Sequence, residues 1–197
     1  MKAQHNIMKL ALGDQWQALP PPLKRHYQDG NNQDIGHLDV EYPGFMQPYL
    51  NLLKLFGALV NKRGVGIKTT VKKQSGHDRQ YWRRTLHYPD SRLRTFNSRW
   101  IYAGENKLIE FTNPMLGLKM EVWVEGEDLY YSGLCYIIKL GKLHIPVPEW
   151  LVLGHTTIVE RAVDDRHFEM DFRLTHPLFG QVFRYSGRFR TEREAGD

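Results

Sequence analysis

The sequence predicts an α+β fold that is mostly β: a curled antiparallel sheet or barrel of about nine to ten strands with two N-terminal helices covering it. Three observations carry this. From residue 63 onward apolar and polar side chains alternate with a period of two, the spacing of a strand with one face in a core. Turn sequences rich in Gly, Asp, Asn and Pro interrupt the alternation at roughly even intervals. No helical period separates the candidate strands, so neighbours in sequence must pair antiparallel, and so long a sheet must curl or close to hide its edges.

Residues 7–19 (IMKLALGDQWQAL) place Ile7, Leu10, Ala11, Leu12 and Trp16 on a broad apolar stripe, which predicts a helix ended by Pro20-Pro21-Pro22. Leu23–Tyr27 form one further turn before the polar loop DGNNQD. Residues 35–42 read as a short strand, and 45–59 as a second helix starting cleanly only after Pro48. The alternating segments follow: GIKTTVKKQ, RQYWRRTLHY, RLRTFNSRWIYA, KLIEFT, LGLKMEVWVEG, DLYYSGLCYIIKL, TTIVERAV, RHFEMDFRL and QVFRYSGRFR. Their joints are Gly76-His77-Asp78, Pro89-Asp90-Ser91, Gly104-Glu105-Asn106, Gly126-Glu127-Asp128, Asp164-Asp165 and Pro177–Gly180. Gly117, Gly133 and Gly187, inside strands, are candidate bends. In LHIPVPEWL (143–151) two prolines two apart predict an extended crossing rather than a ladder strand, with Trp150 packed as a plug or at a cavity mouth. With no linker or repeat, residues 1–197 read as one domain, helical over 1–62, β over 63–191 and with a frayed tail at 192–197.

Charge is unevenly spread. Phe45–Val60 carries a single charge, Lys54, whereas residues 61–100 hold eleven Lys/Arg against Asp78 and Asp90, a local +9 in a chain of formal charge +5. Alternation puts many of these cations on a solvated outer face. An apolar helix beside them also suits an amphiphile or an anionic membrane surface. Nucleic acid is disfavoured, because no helix-turn-helix, zinc-finger or RNP-type aromatic motif accompanies the charge. One cysteine, Cys135, excludes an internal disulfide framework and fits a reducing compartment. The N-terminal residues lack a signal-peptide pattern, and the longest apolar run is broken by Pro48 and too short for a bilayer. The expected location is the cytoplasm, soluble or peripheral to a membrane.

GxSxG, HExxH, CxxC and GxGxxG motifs are absent, and the nine histidines show no metal-ligand spacing, so neither catalytic residues, a cofactor nor a metal is expected. The informative strand is Trp82-Arg83-Arg84-Thr85-Leu86. If Trp82 and Leu86 face inward, so does Arg84, and a buried guanidinium needs a carboxylate or a bound anion. Glu110 and Glu160, each within an apolar strand, are candidate partners, and Tyr185 alternates onto the core face with Phe183 and Phe189. Trp82, Arg84, Glu110, Trp150, Glu160 and Tyr185 are therefore the candidate ligand-binding residues, with Phe45, Leu52 and Phe56 as candidate lid residues.

At these residues the chain resembles a bacterial family known as domain of unknown function 4166. The resemblance runs from Leu10 to about Arg190: LPPPLKRHY and Gly36, Trp82 with Arg84 and Leu86, Phe96 and Ser98, Glu110, Pro146–Leu151 and Glu160. It closes with Phe168, Met170-Asp171-Phe172, Pro177-Leu178, Gly180, Tyr185 and Gly187. Leu86 stands where the family pattern has an aromatic, and TNPMLG departs from its glycine after the glutamate strand. The resemblance implies no reaction. Family members joined to a nicotinamide-dinucleotide-binding oxidoreductase domain imply a separate oxidoreductase as a partner. The function expected first is non-catalytic binding of a lipid-like or other amphipathic small molecule in a barrel-like hydrophobic cavity, of several hundred cubic ångströms as ligand pockets are. An accessory module docking on such an oxidoreductase or on an anionic membrane is the alternative, and an enzyme acting on a small apolar substrate the third reading.

Overall fold

The computed structural model describes residues 6–55 and 59–193. All its strands are antiparallel and belong to one sheet: β1 (Asn31–Glu41), β2 (Gly64–Ser75), β3 (Arg79–His87), β4 (Leu93–Tyr102), β5 (Lys107–Phe111), β6 (Leu116–Glu125), β7 (Asp128–Leu140), β8 (Leu143–Val147), β9 (His155–Ala162), β10 (His167–His176) and β11 (Gly180–Arg193). Successive strands pair as an up-and-down meander, and β11 returns to pair with β1 from Asn32↔Arg193 to Glu41↔Arg184. Ten strands thus close a barrel, and β8 pairs with β7 outside the ring. The count is one more than the alternation predicts. Residues 143–147 form a ladder strand despite Pro146, because an edge strand tolerates the missing donor. The C-terminal residues Glu192 and Arg193, expected to fray, pair with Gln33 and Asn32. β1 likewise belongs to the barrel rather than to a helical N-terminal region.

At the β1–β11 seam the strands approach so closely that only glycine fits. A Cβ on Gly36 would lie 2.0 Å from the Arg188 carbonyl oxygen, and one on Gly187 2.2 Å from that of His37. Period-two alternation then decides what faces in. Ile67, Thr69, Val71 and Lys73 of β2 and Gln80, Trp82, Arg84 and Leu86 of β3 are buried, while Lys68, Lys72, Arg83 and His87 are exposed. Most of the cationic stretch is therefore a solvated outer wall, but Lys73 and Arg84 are not part of it.

Both ends are capped. Where β1 begins lie α1 (Ile7–Leu12), a 3-10 segment (Gly13–Ala18) and α2 (Pro21–His26). The Asn6 side chain accepts from the Met8 and Lys9 N–H groups, 3.0 Å each, satisfying donors the first turn leaves open. The helix expected over 7–19 stops after Leu12 because Gly13 adopts φ +51°. The proline run both ends this segment and starts α2, whose first turn needs no N–H from Pro21 or Pro22. The Asn6 Nδ2 donates to the Tyr27 carbonyl at 2.7 Å and ties α1 to α2. At the opposite end, where β1 finishes, a 3-10 turn (Gly44–Met46) and α3 (Gln47–Leu55) bury Met46, Leu50 and Leu53. The Tyr49 hydroxyl donates to the Val152 carbonyl at 3.0 Å, linking α3 to the 3-10 turn Glu149–Leu151 just before β9. No helix among the described residues is long and apolar enough to cross a membrane.

Candidate functional site

Two polar clusters lie inside the barrel, and alternation alone requires each to satisfy its charges internally. The first lies under α2. Asp34 of β1 meets Lys73 of β2 at 3.0 Å and His26 Nδ1 at 2.9 Å. The Lys73 ammonium also contacts His26 Nδ1 at 2.9 Å and donates to the His26 carbonyl oxygen. Thr191 of β11 donates to Asp34 at 2.7 Å. The Tyr27 hydroxyl donates to Glu160 of β9 at 2.7 Å and lies 2.5 Å from the Tyr131 hydroxyl. His26 is enclosed by Trp82 and Phe168, with ring centroids 5.3 and 4.4 Å away. The end of α2 thus enters the barrel mouth, where His26, Tyr27, Asp34, Lys73, Tyr131 and Glu160 are all almost fully buried.

Burial pushes the Asp34 carboxyl up, but His26 and Lys73 outweigh it and bring its pKa down to about 2, from an ordinary 3.8. Burial also raises Glu160, against the pull of His26, Tyr27 and Lys73, and lowers Lys73 despite Asp34. A depressed carboxylate adds stability above its unfolded pKa, and that contribution disappears as pH falls through the folded one. Asp34 therefore makes the urea midpoint fall as pH drops from about 4 towards about 2, and the Asp34→Asn variant is expected to show a shallower fall in that window. Equal slopes in the two proteins would contradict this. Glu160 works in the opposite sense, favouring the fold at low pH and losing that contribution as pH rises through its elevated value.

The second cluster is centred on Arg84. Arg84 Nη1 of β3 donates to Ser98 of β4 at 2.7 Å and to Glu110 of β5 at 2.9 Å. The guanidinium stacks over Trp82 and Phe96, 4.8 and 5.1 Å from their centroids. Burial alone would lower the Arg84 pKa, but Glu110 together with Tyr185 and Tyr27 outweighs it and the value is raised. Tyr185 of β11 stacks on Phe172 at 4.5 Å, and burial raises its hydroxyl pKa. Arg84, Glu110 and Tyr185 line one end of an internal space whose remaining wall is apolar, including Leu53, Val60, Leu118, Leu153 and Phe172. The Thr112 hydroxyl on this wall is buried and has no hydrogen-bond partner among the described residues.

The enclosed volume is about 60 Å³. That holds a few water molecules and is well below the roughly 300–1,000 Å³ of small-molecule pockets. Among the described residues this space is far smaller than the cavity of several hundred cubic ångströms expected from the sequence, and Leu53 of α3 with the rings of Phe96, Tyr136, Phe172 and Tyr185 forms part of its wall. The candidate residues sort accordingly. Arg84, Glu110 and Tyr185 converge on one space, and Trp82 lies between the two clusters. Glu160 does not pair with Arg84, because Tyr27 from α2 reaches it first. Trp150 is neither a plug nor a wall residue: it is 57 % exposed, since the 3-10 turn carrying it faces outward. Phe45 and Leu52 also point to solvent, because the inward stripe of this cap is Met46, Leu50 and Leu53. Phe56 lies outside the described residues.

His26, Tyr27, Asp34 and Lys73 form a buried polar cluster that the sequence pattern does not single out. For Lys73 a signal exists, since Ile67, Thr69 and Val71 extend by period two onto it. Asp34 is hidden because the strand starts at Asn31, four residues before the apolar Ile35 that marks it in the sequence. Nothing local marks His26 as buried. The turn between β8 and β9 is pinned by another such residue. Glu149 accepts from the Thr156 N–H at 3.0 Å and meets His155 Nδ1 at 2.8 Å, lying over Gly133 where a Cβ would fall 1.8 Å from its oxygen.

The chain is thus a closed antiparallel barrel, capped by helices at both ends, with a small occluded pocket inside. It belongs to the family described as Domain of unknown function (DUF4166), which matches residues 19–189. No curated protein and no solved structure matches it. Among the described residues, no group of three or more His, Cys, Asp or Glu is placed to hold a metal ion.

Proposed function

We propose that the barrel is a non-catalytic binding protein for an apolar or amphipathic small molecule, seen with its pocket closed. The observation that carries this is the wall chemistry: mostly apolar side chains, together with the Arg84–Glu110 pair and Tyr185, and elsewhere on the wall the unpartnered Thr112 hydroxyl. Such a site orients one polar head and buries one apolar tail. Because Glu110 already neutralises Arg84, an uncharged head that both accepts and donates, such as an alcohol, fits better than a carboxylate. Admission requires α3 to move outward, since Leu53 forms part of the wall. Glu110 and Glu160 have different partners, Arg84 and Tyr27, and both are spoken for, which gives acid–base catalysis no support.

The test is thermal unfolding of the full chain with dodecanol and with dodecanoate, combined with native mass spectrometry of freshly purified protein. A ligand at a hundred times its Kd adds about 2.7 kcal/mol and raises the midpoint. Dodecanol is expected to raise it more than dodecanoate. No shift with either, and no co-purifying mass, would show the interior to be only a packed core.

A further inference from the structure

The end of the barrel covered by α3 carries an unusual concentration of exposed apolar side chains. Phe45 and Leu52 project from the α3 cap, Trp150 and Leu151 from the turn before β9, and Leu178 and Phe179 from the β10–β11 turn. Leu178 is 81 % exposed at the tip of its turn. These turns touch one another. The Phe45 and Phe179 rings lie 5.8 Å apart, His176 stacks on Phe179 at 4.8 Å, and His176 Nε2 reaches the Trp150 carbonyl at 3.0 Å. Between them runs a groove of about 260 Å³ lined by Phe45, Met46, Tyr49, Val152, His176 and Phe179. The hairpin of β7 and β8, which leads into the same turn, adds exposed Leu140, Leu143 and Ile145.

Charge indicates what covers this surface. The segments carrying the projections, residues 42–63, 150–154 and 177–179, contain Lys54, Lys62 and Arg63 and no Asp or Glu. Lys62 is bridged to Asp90, Arg63 lies over the Tyr42 ring at 4.7 Å, and Lys54 is exposed. Apolar tips on separate turns, aromatic rings among them, with cations and no acid in the same segments, match the headgroup region of an anionic bilayer. There rings and aliphatic tips enter the acyl boundary and Lys and Arg meet lipid phosphates. We infer that this end of the barrel docks on an anionic membrane surface, inserting Trp150, Leu178 and Phe179. The inference does not depend on a ligand occupying the interior.

Flotation of the full chain with vesicles of phosphatidylcholine alone, and with added phosphatidylserine, tests it. Binding is expected to the mixed vesicles, to weaken with salt, and to be accompanied by a blue shift of Trp150 emission that the Trp150→Ala variant loses. Leu178→Asp is expected to weaken binding by about tenfold or more, because a buried leucine is worth at least the 1.4 kcal/mol that tenfold represents. Leu178 is 81 % exposed, so its substitution removes little packing from the fold. Lys54→Glu should weaken binding to the mixed vesicles on its own and serves if Leu178→Asp fails to fold. Absence of binding to mixed vesicles overturns the inference, as does equal binding by the variants. So does self-association of the wild type, abolished by Leu178→Asp, without vesicle binding, because a second copy would then cover the face.

Discussion

Replacing Asp34 with alanine is expected to destabilise the barrel by about 3–5 kcal/mol, the usual cost of removing one partner of a buried ion pair. The mechanism is uncompensated charge rather than lost contact area. Lys73 is almost fully buried, with the Asp34 carboxylate 3.0 Å away, and the variant leaves its ammonium with the imidazole and carbonyl of His26. Thr191 loses its acceptor in the same step, and with it a link between β11 and β1. The double variant Asp34→Leu with Lys73→Met removes both charges and should recover most of the loss, because apolar replacements of a buried pair are often neutral or stabilising. Urea unfolding of the three proteins measures this. A single variant within about 1 kcal/mol of the wild type would mean that water or a counter-ion reaches Lys73, and that the mouth under α2 is not closed.

Freeing Arg84 should change what the interior accepts. In Glu110→Gln the guanidinium keeps Ser98 but loses its countercharge, so the variant is expected to be less stable by a few kcal/mol without ligand. The same unpaired charge makes the pocket selective for anions. Dodecanoate is then expected to bind at least about tenfold more tightly than to the wild type, while dodecanol gains nothing. Thermal midpoints of both proteins with both amphiphiles separate the effects, since stability loss appears without ligand and selectivity as the difference between ligands. If dodecanoate discriminates no better in the variant, Arg84 does not face the bound head and its role is confined to strand packing.

The barrel is readable from the sequence because alternation is a backbone property, and the turns at Gly76–Asp78, Pro89–Ser91 and Gly104–Asn106 carry their own chemistry. The inward placement of Arg84 follows from Trp82 and Leu86, and its partner in the structure is Glu110. β8 escapes a sequence reading because Pro146 argues against a ladder wherever the strand is not known to be an edge. The polar cluster under α2 escapes it for a different reason. His26 and Tyr27 enter the barrel only because Pro21 and Pro22 start a helix there, and which mouth a terminal helix covers depends on closure, which no local pattern records. Phe45 and Leu52 are apolar, as a lid requires, but the 3-10 turn buries Met46 instead of Phe45, and the pitch of α3 gives its inner face to Leu50 and Leu53.

The β1–β11 seam has a consequence for how the chain reaches its native state. Every other junction of the barrel joins strands close in sequence, but Asp34 and Thr191, in contact across this one, are 157 residues apart. A nascent chain therefore carries β1 with one raw edge until β11 has emerged. Hairpins can zip early. The ring itself waits for a contact of very high sequence separation, which makes closure the slow step of folding. During that interval Asp34 and Lys73, buried in the finished barrel, are expected to stay hydrated on an open sheet and to give up that hydration only at closure.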